Sequence, residues 1–77
     1  MKTLSFDYKP NGSSKEHNYN LLVKDSNTEN QTISGYVVSR LEKDELEAVT
    51  AGVATKEINK KAYRTFNVEK VNNLKVS

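Results

Sequence analysis

No stretch of this chain is apolar for more than three residues; the longest runs are Leu21 to Val23 and Tyr36 to Val38. A membrane-spanning helix needs about 20 consecutive apolar residues, so none is encoded. What the sequence offers instead is alternation in short pieces. Leu4, Phe6 and Tyr8 alternate with Thr3, Ser5 and Asp7, which is the period of a half-buried strand. Pro10-Asn11-Gly12-Ser13-Ser14 stops that strand, because proline has no N–H to donate and Asn-Gly accepts positive φ. A hairpin follows, with a return strand from Tyr19 to Lys24. It carries Tyr19, Leu21 and Val23 on one face and Leu22 as an additional apolar contact. Asp25 to Gln31 reads as a polar turn. Ile33 to Ser39 reads as a third strand, whose near-continuous apolar run predicts a central position covered on both faces.

The period changes after Ser39. Ser39-Arg40-Leu41-Glu42 fits a capping box, and Leu46, Val49 and Val53 recur at helical spacing, with acidic residues in the first turn where the helix dipole favours them. One short helix over roughly Leu41 to Ala51 is predicted, its apolar stripe covering the sheet. Gly52 and the β-branched Thr50, Val53 and Thr55 weaken any extension. Ala54 to Lys61 is a basic connector of unassigned form. From Ala62 the period returns to two: Arg64, Phe66 and Val68 share one face, and Tyr63, Thr65 and Asn67 the other. Val71, Leu74 and Val76 close the chain, with Asn72-Asn73 expected as a tight turn between two last strands.

Five short strands in 77 residues, only 35% of them hydrophobic, leave room for one small domain with a modest core. A flat sheet of that size would expose its edge strands, so a small barrel or strongly bent antiparallel sheet is expected. The fold class is mainly β within α+β, a single domain over 1–77 with a helical insertion about 41–61. The inserted helix caps one mouth or one face. Cysteine is absent, which removes disulfides, thiolate metal sites and thiol nucleophiles. His17 stands alone in a turn with no second histidine and is not expected to bind a metal. No nucleophile, base and orienting group can be placed together, and no Gly-rich phosphate loop occurs. The start, Met1-Lys2-Thr3-Leu4-Ser5, has no apolar signal core behind it, so a soluble cytoplasmic protein is expected.

Charge is uneven along the chain although its net value is only +2. Residues 42–47 sum to −3 and residues 54–77 to +4. Within the basic end, Arg64 lies between Tyr63 and Phe66 and close to Lys60, Lys61 and Lys70. The plainer reading packs the arginine stem on apolar surface with its head in water. The tyrosines Tyr36 and Tyr63 serve more often as core or rim aromatics than as stacking platforms, and Lys56, Lys60 and Lys61 as a solvated face. The functional reading makes Arg64 a phosphate or carboxylate contact, because its planar fork holds such groups in one orientation.

Tyr63-Arg64-Thr65-Phe66, followed by Val68-Glu69-Lys70-Val71 and Leu74-Lys75-Val76, resembles the closing strands of the WYL domain, the small SH3-like or Sm-like barrel attached to many bacterial transcription regulators. Leu4-Ser5-Phe6-Asp7-Tyr8 with the Asn11-Gly12 turn looks like that family's opening hairpin. Gly35-Tyr36-Val37 falls where the Trp-Tyr-Leu signature would lie, with Gly35 replacing the tryptophan and Val37 the leucine. Asn67 and Lys70 stand where the family shows arginines. Residues 41 to 61 lie outside the likeness, and a domain without the family's helix-turn-helix partner is expected. The resemblance implies a five-stranded SH3-like barrel, divergent and free-standing, with Tyr36, Tyr63, Arg64 and Phe66 as matching positions. The expected function is a non-enzymatic regulatory module that binds or senses nucleic acid or a nucleotide-like anion. Arg64, Lys60, Lys61 and Lys70 would supply charge, and Tyr63 or Tyr36 a stacking surface. No cofactor and no metal are expected. The alternative is a protein-binding regulator that modifies a host complex, since short chains rich in Asn and Lys are common among phage and mobile-element proteins.

Overall fold

The alternating segments become a meander of three antiparallel strands, β1 (Thr3–Tyr8), β2 (His17–Asn27) and β3 (Thr32–Val37). The computed structural model describes residues 2–53 and 56–76, and at 56, 59 and 60 the backbone alone. Phe6 pairs with Tyr19 and Leu4 with Leu21, so the apolar faces of β1 and β2 coincide. Between them Gly12 takes φ 82 and the Ser13 N–H donates to the Pro10 carbonyl at 3.0 Å, the geometry of a type II turn that glycine supplies without steric cost.

β2 runs through Asp25 to Asn27, where the polarity of the sequence predicts a turn. The ladder survives because the backbone carries it: a bulge between Val23 and Asp25 shifts the register, and Asp25, Ser26 and Asn27 then pair with Ser34, Ile33 and Thr32. The turn itself is shorter. The Asn30 N–H donates to Asn27 Oδ1 at 3.0 Å and Gln31 adopts φ 53. β3 in turn ends at Val37, and Val38–Arg40 tighten into a 3-10 turn closed by the Leu41 N–H on the Val38 carbonyl. Ser39 is thereby used up, and the first helix, α1 (Lys43–Thr50), starts later than the capping box at Ser39 predicts. Glu42 is its N-cap, and the Glu45 carboxylate reaches back to the Glu42 N–H at 3.0 Å. At its other end Gly52 takes φ 85, with Val53 N–H on the Ala48 carbonyl and Gly52 N–H on the Val49 carbonyl. That paired closure is the Schellman motif.

A second helix, α2 (Lys56–Ala62), occupies most of the connector to which the sequence assigned no form. It leads directly into β4 (Tyr63–Asn67), which pairs with β3. The last strand, β5 (Asn72–Val76), pairs with β1, so the order across the sheet is β4-β3-β2-β1-β5, antiparallel throughout. The first and last strands of that order are joined by Val68–Val71 alone, mostly a 3-10 turn. Four residues cannot span a flat five-stranded sheet at about 4.8 Å per strand spacing, so the sheet curls until its two edges approach. This is the strongly bent antiparallel sheet that the sequence allowed beside a barrel, with β4 and β5 as its edges. The break between the last strands, however, falls at this 3-10 turn, where the Glu69 N–H donates to Asn67 Oδ1 at 3.0 Å, and not at Asn72-Asn73. Asn73 sits inside β5 at φ 55, where the pairing with β1 slips by one residue.

Two cores follow from the curl. Inside it, Phe6, Leu21, Val37 and Phe66 are buried, with Leu4, Tyr8, Tyr19, Val23, Ile33 and Val71 around them. On the outer face Leu22 and Tyr36 are covered by Val49, Ile58 and Ala62 of the two helices. Leu22 thus belongs to the second core, and β3 is covered on both faces as its sequence predicts. Val53 lies beyond the helix and is 59% exposed, so the predicted stripe of Leu46, Val49 and Val53 covers the sheet through its first two members.

Candidate functional site

Arg64 is fixed by its strand. In β4 it pairs with Gly35, with Phe66 two residues on paired to Ile33, so Arg64 and Phe66 belong to the inner face of the sheet and Tyr63 and Thr65 to the outer. Phe66 is buried, whereas Arg64 near the end of the strand is exposed. Glycine at its partner position presents no side chain there.

The floor beside Arg64 is aromatic. The Phe66 ring contacts Phe6 at a centroid distance of 5.0 Å, Tyr8 at 5.0 Å and Tyr19 at 5.1 Å, in edge-on or tilted geometries. Phe6 and Phe66 are buried, while Tyr8 and Tyr19 are half-buried and form the wetter side of the cluster. Together with Pro10, Asn11 and Thr65 of the neighbouring segments, Tyr8, Tyr19, Phe66 and Arg64 line a cleft of about 250 Å³. No carboxylate is among its lining residues. An exposed guanidinium at a cleft whose lining includes tyrosines and no acid can hold an anionic group with a ring attached to it.

The other predicted residues are distributed differently. Tyr36 and Tyr63 pack edge-to-face at 5.3 Å on the outer face, across the sheet from Arg64. Tyr36 is 1% exposed, and its burial, with a smaller contribution from neighbouring Tyr63, pushes its hydroxyl above the usual tyrosine range. Neither tyrosine shares the Arg64 cleft. Lys61 is exposed on α2, in the helical layer, and lines no wall of that cleft. The side chain of Lys60 lies outside the described residues. Lys70, on the 3-10 turn before β5, lines a separate cleft with Lys9, Pro10, Asn11, Gly12, Ser13 and Asn72. The aromatics that the structure does bring to Arg64, Tyr8 and Tyr19, stand in the sequence as members of the apolar faces of the opening hairpin. Their one sequence signal is polar hydroxyl-bearing rings at strand ends beside a Pro-Asn-Gly turn.

Asp7 has a different kind of surroundings. Its carboxylate accepts from Asn73 Nδ2 at 2.8 Å and from Asn18 Nδ2 at 3.2 Å, and these bonds, with the charge of Lys75, hold its pKa below the ordinary aspartate value. This cluster ties β5 and β2 to β1. Among the described residues no group of histidines and carboxylates has the spacing of a metal site, and no helix is long and apolar enough to cross a membrane. Compared with family models, curated proteins and solved structures, the chain matches none.

Proposed function

We propose that this chain is a non-enzymatic binding module, a divergent WYL-like regulator of the cytoplasm, whose ligand is nucleic acid or a nucleotide-like anion held at the Arg64 cleft. The observation that carries the reading is the exposed Arg64 guanidinium at a cleft floored by Tyr8, Tyr19 and Phe66 and lined by no carboxylate. Arg64 would grip the phosphate as a fork, and the tyrosines would take a base face, a contact worth about 1–3 kcal/mol per base. The stacking surface is therefore Tyr8 and Tyr19 in place of Tyr36 and Tyr63.

Salt tests it. Binding of a short oligonucleotide should weaken steeply between low and moderate salt, with a slope set by the number of phosphates neutralised. No binding at low salt would remove the reading. A protein-binding regulator acting on a host complex is the second reading, and α1 is the observation that favours it: Glu42, Asp44 and Glu47 are all exposed around its first turns. Such binding would survive nuclease treatment and be abolished by reversing those charges.

A further inference from the structure

The Pro10-Asn11 segment is a shared wall: it lines the Arg64 cleft on one side and, on the other, a cleft of about 440 Å³ that also takes in Lys9, Gly12, Ser13, Lys70 and Asn72. We infer that this second cleft is a phosphate subsite, and that the ligand is a single-stranded nucleic acid lying across the Pro10-Asn11 wall, with a base and its phosphate at Arg64 and a neighbouring phosphate between Lys9 and Lys70. The inference rests on the function proposed above and names the ligand class of that site.

Lys9 follows β1 and Lys70 belongs to the turn before β5, and the pairing of β1 with β5 brings both to one opening. Two ammonium groups at one cleft repel each other, and no carboxylate lines it to offset them. The nearby acids stand outside its lining. Glu16 accepts from Asn72 Nδ2 at 3.2 Å, Asp7 accepts from Asn73 Nδ2, and Glu69 stands on the same turn as Lys70 as an exposed residue. The two clefts also differ in what they can hold. The smaller has the aromatic floor and the rigid guanidinium, which suit a ring and one fixed phosphate orientation; the larger has no aromatic residue and two flexible point charges, which suit a backbone phosphate of variable pose. A mononucleotide fills one cleft only. A duplex keeps its bases stacked against each other and cannot offer a ring face to Tyr8 or Tyr19, whereas a single strand can.

The test compares thymidine monophosphate with a tetrathymidylate, by chemical-shift titration over a range of salt, on the wild type and on the Lys9→Ala/Lys70→Ala double variant, with a thermal melt of each protein. Each phosphate neutralised on a single strand steepens log K against log salt by about 0.7. The tetranucleotide should bind the wild type at least about tenfold tighter than the mononucleotide at low salt, with a slope steeper by one or two such steps. The double variant should keep its melting temperature and its mononucleotide affinity while losing that gain and that extra slope. Equal affinity and slope for both ligands on the wild type would overturn the inference and leave the Arg64 cleft as a mononucleotide site; so would a double variant that retains the gain. Failure of both ligands to bind the wild type at low salt would overturn the inference together with the function on which it rests.

Discussion

Gly35 is the position at which a single added carbon does most harm. A Cβ there would overlap the Leu22 carbonyl oxygen and lie 2.8 Å from the Leu22 carbonyl carbon and 2.9 Å from the Val23 Cα, all backbone atoms that no rotamer change can move aside. Gly35→Ala should therefore pry β3 from β2 and cost about 3 kcal/mol or more, read as a fall in the urea midpoint. A midpoint within experimental error of wild type would mean that the two strands are farther apart than described. Glycine at this position is thus accounted for by strand approach, and its absent side chain also leaves the position opposite Arg64 bare. Asp7 carries a pH prediction. Its folded pKa lies below the ordinary value of 3.8, because Asn73 and Asn18 donate to the charged form and Lys75 attracts it. A depressed carboxylate pKa contributes stability that is present above the ordinary value and is lost as pH falls through the folded one. The melting-temperature gap between wild type and Asp7→Ala should accordingly be widest near neutral pH and narrow below about pH 4; a gap that is constant down to pH 2 would contradict it. Residue roles of this sort were only half legible in the sequence. Arg64 could be singled out from its own neighbours, since a charged fork between aromatics is local information. Tyr8 and Tyr19 could not be assigned to it, because what brings them to Phe66 is the closing of the sheet.

At the scale of elements, the strands were legible wherever side chains alternate, and illegible wherever the backbone alone carries the ladder, as at Asp25 to Asn27. α1 announced itself by its acidic first turn and its stripe. α2 did not, because Ile58 and Ala62 are its only apolar residues, too few to mark a helical period. Those two nonetheless fasten the helical layer to Tyr36 and Leu22. The stabilities should follow burial. Ile58→Ala, at 3% exposure, should cost about 3 kcal/mol; Leu46→Ala, half-buried, about 2 kcal/mol; and Val53→Ala, mostly exposed, under about 0.5 kcal/mol. Denaturant unfolding of the three variants checks the order. If Leu46→Ala left stability unchanged and Val53→Ala lowered it, the helical layer would be docked in a different register from the one described.

At the scale of the molecule, a chain with no long apolar run buries enough surface by curling one sheet around an aromatic cluster and laying two short helices on its outside. The helices occupy the outer face, so the inner face opens to solvent between β4 and the β1–β2 loop, and Arg64 stands at that opening. Its curl was foreseeable from strand number and edge protection; the sidedness of the aromatics was not, because period-two patterns do not say which of two covered faces a ring occupies. The functional claim stands on Arg64 acting through its planar fork and not through its charge alone. The affinity of Arg64→Lys for a short single-stranded oligonucleotide at low salt, measured beside Arg64→Ala and with a thermal melt of each, tests that most directly. Charge is kept in Arg64→Lys and the fork is lost, so both variants should stay folded and bind about equally weakly, roughly tenfold or more below wild type. Wild-type affinity in Arg64→Lys would reduce Arg64 to one surface charge among several, and unfolding of both variants would make it a structural residue; either result contradicts the account.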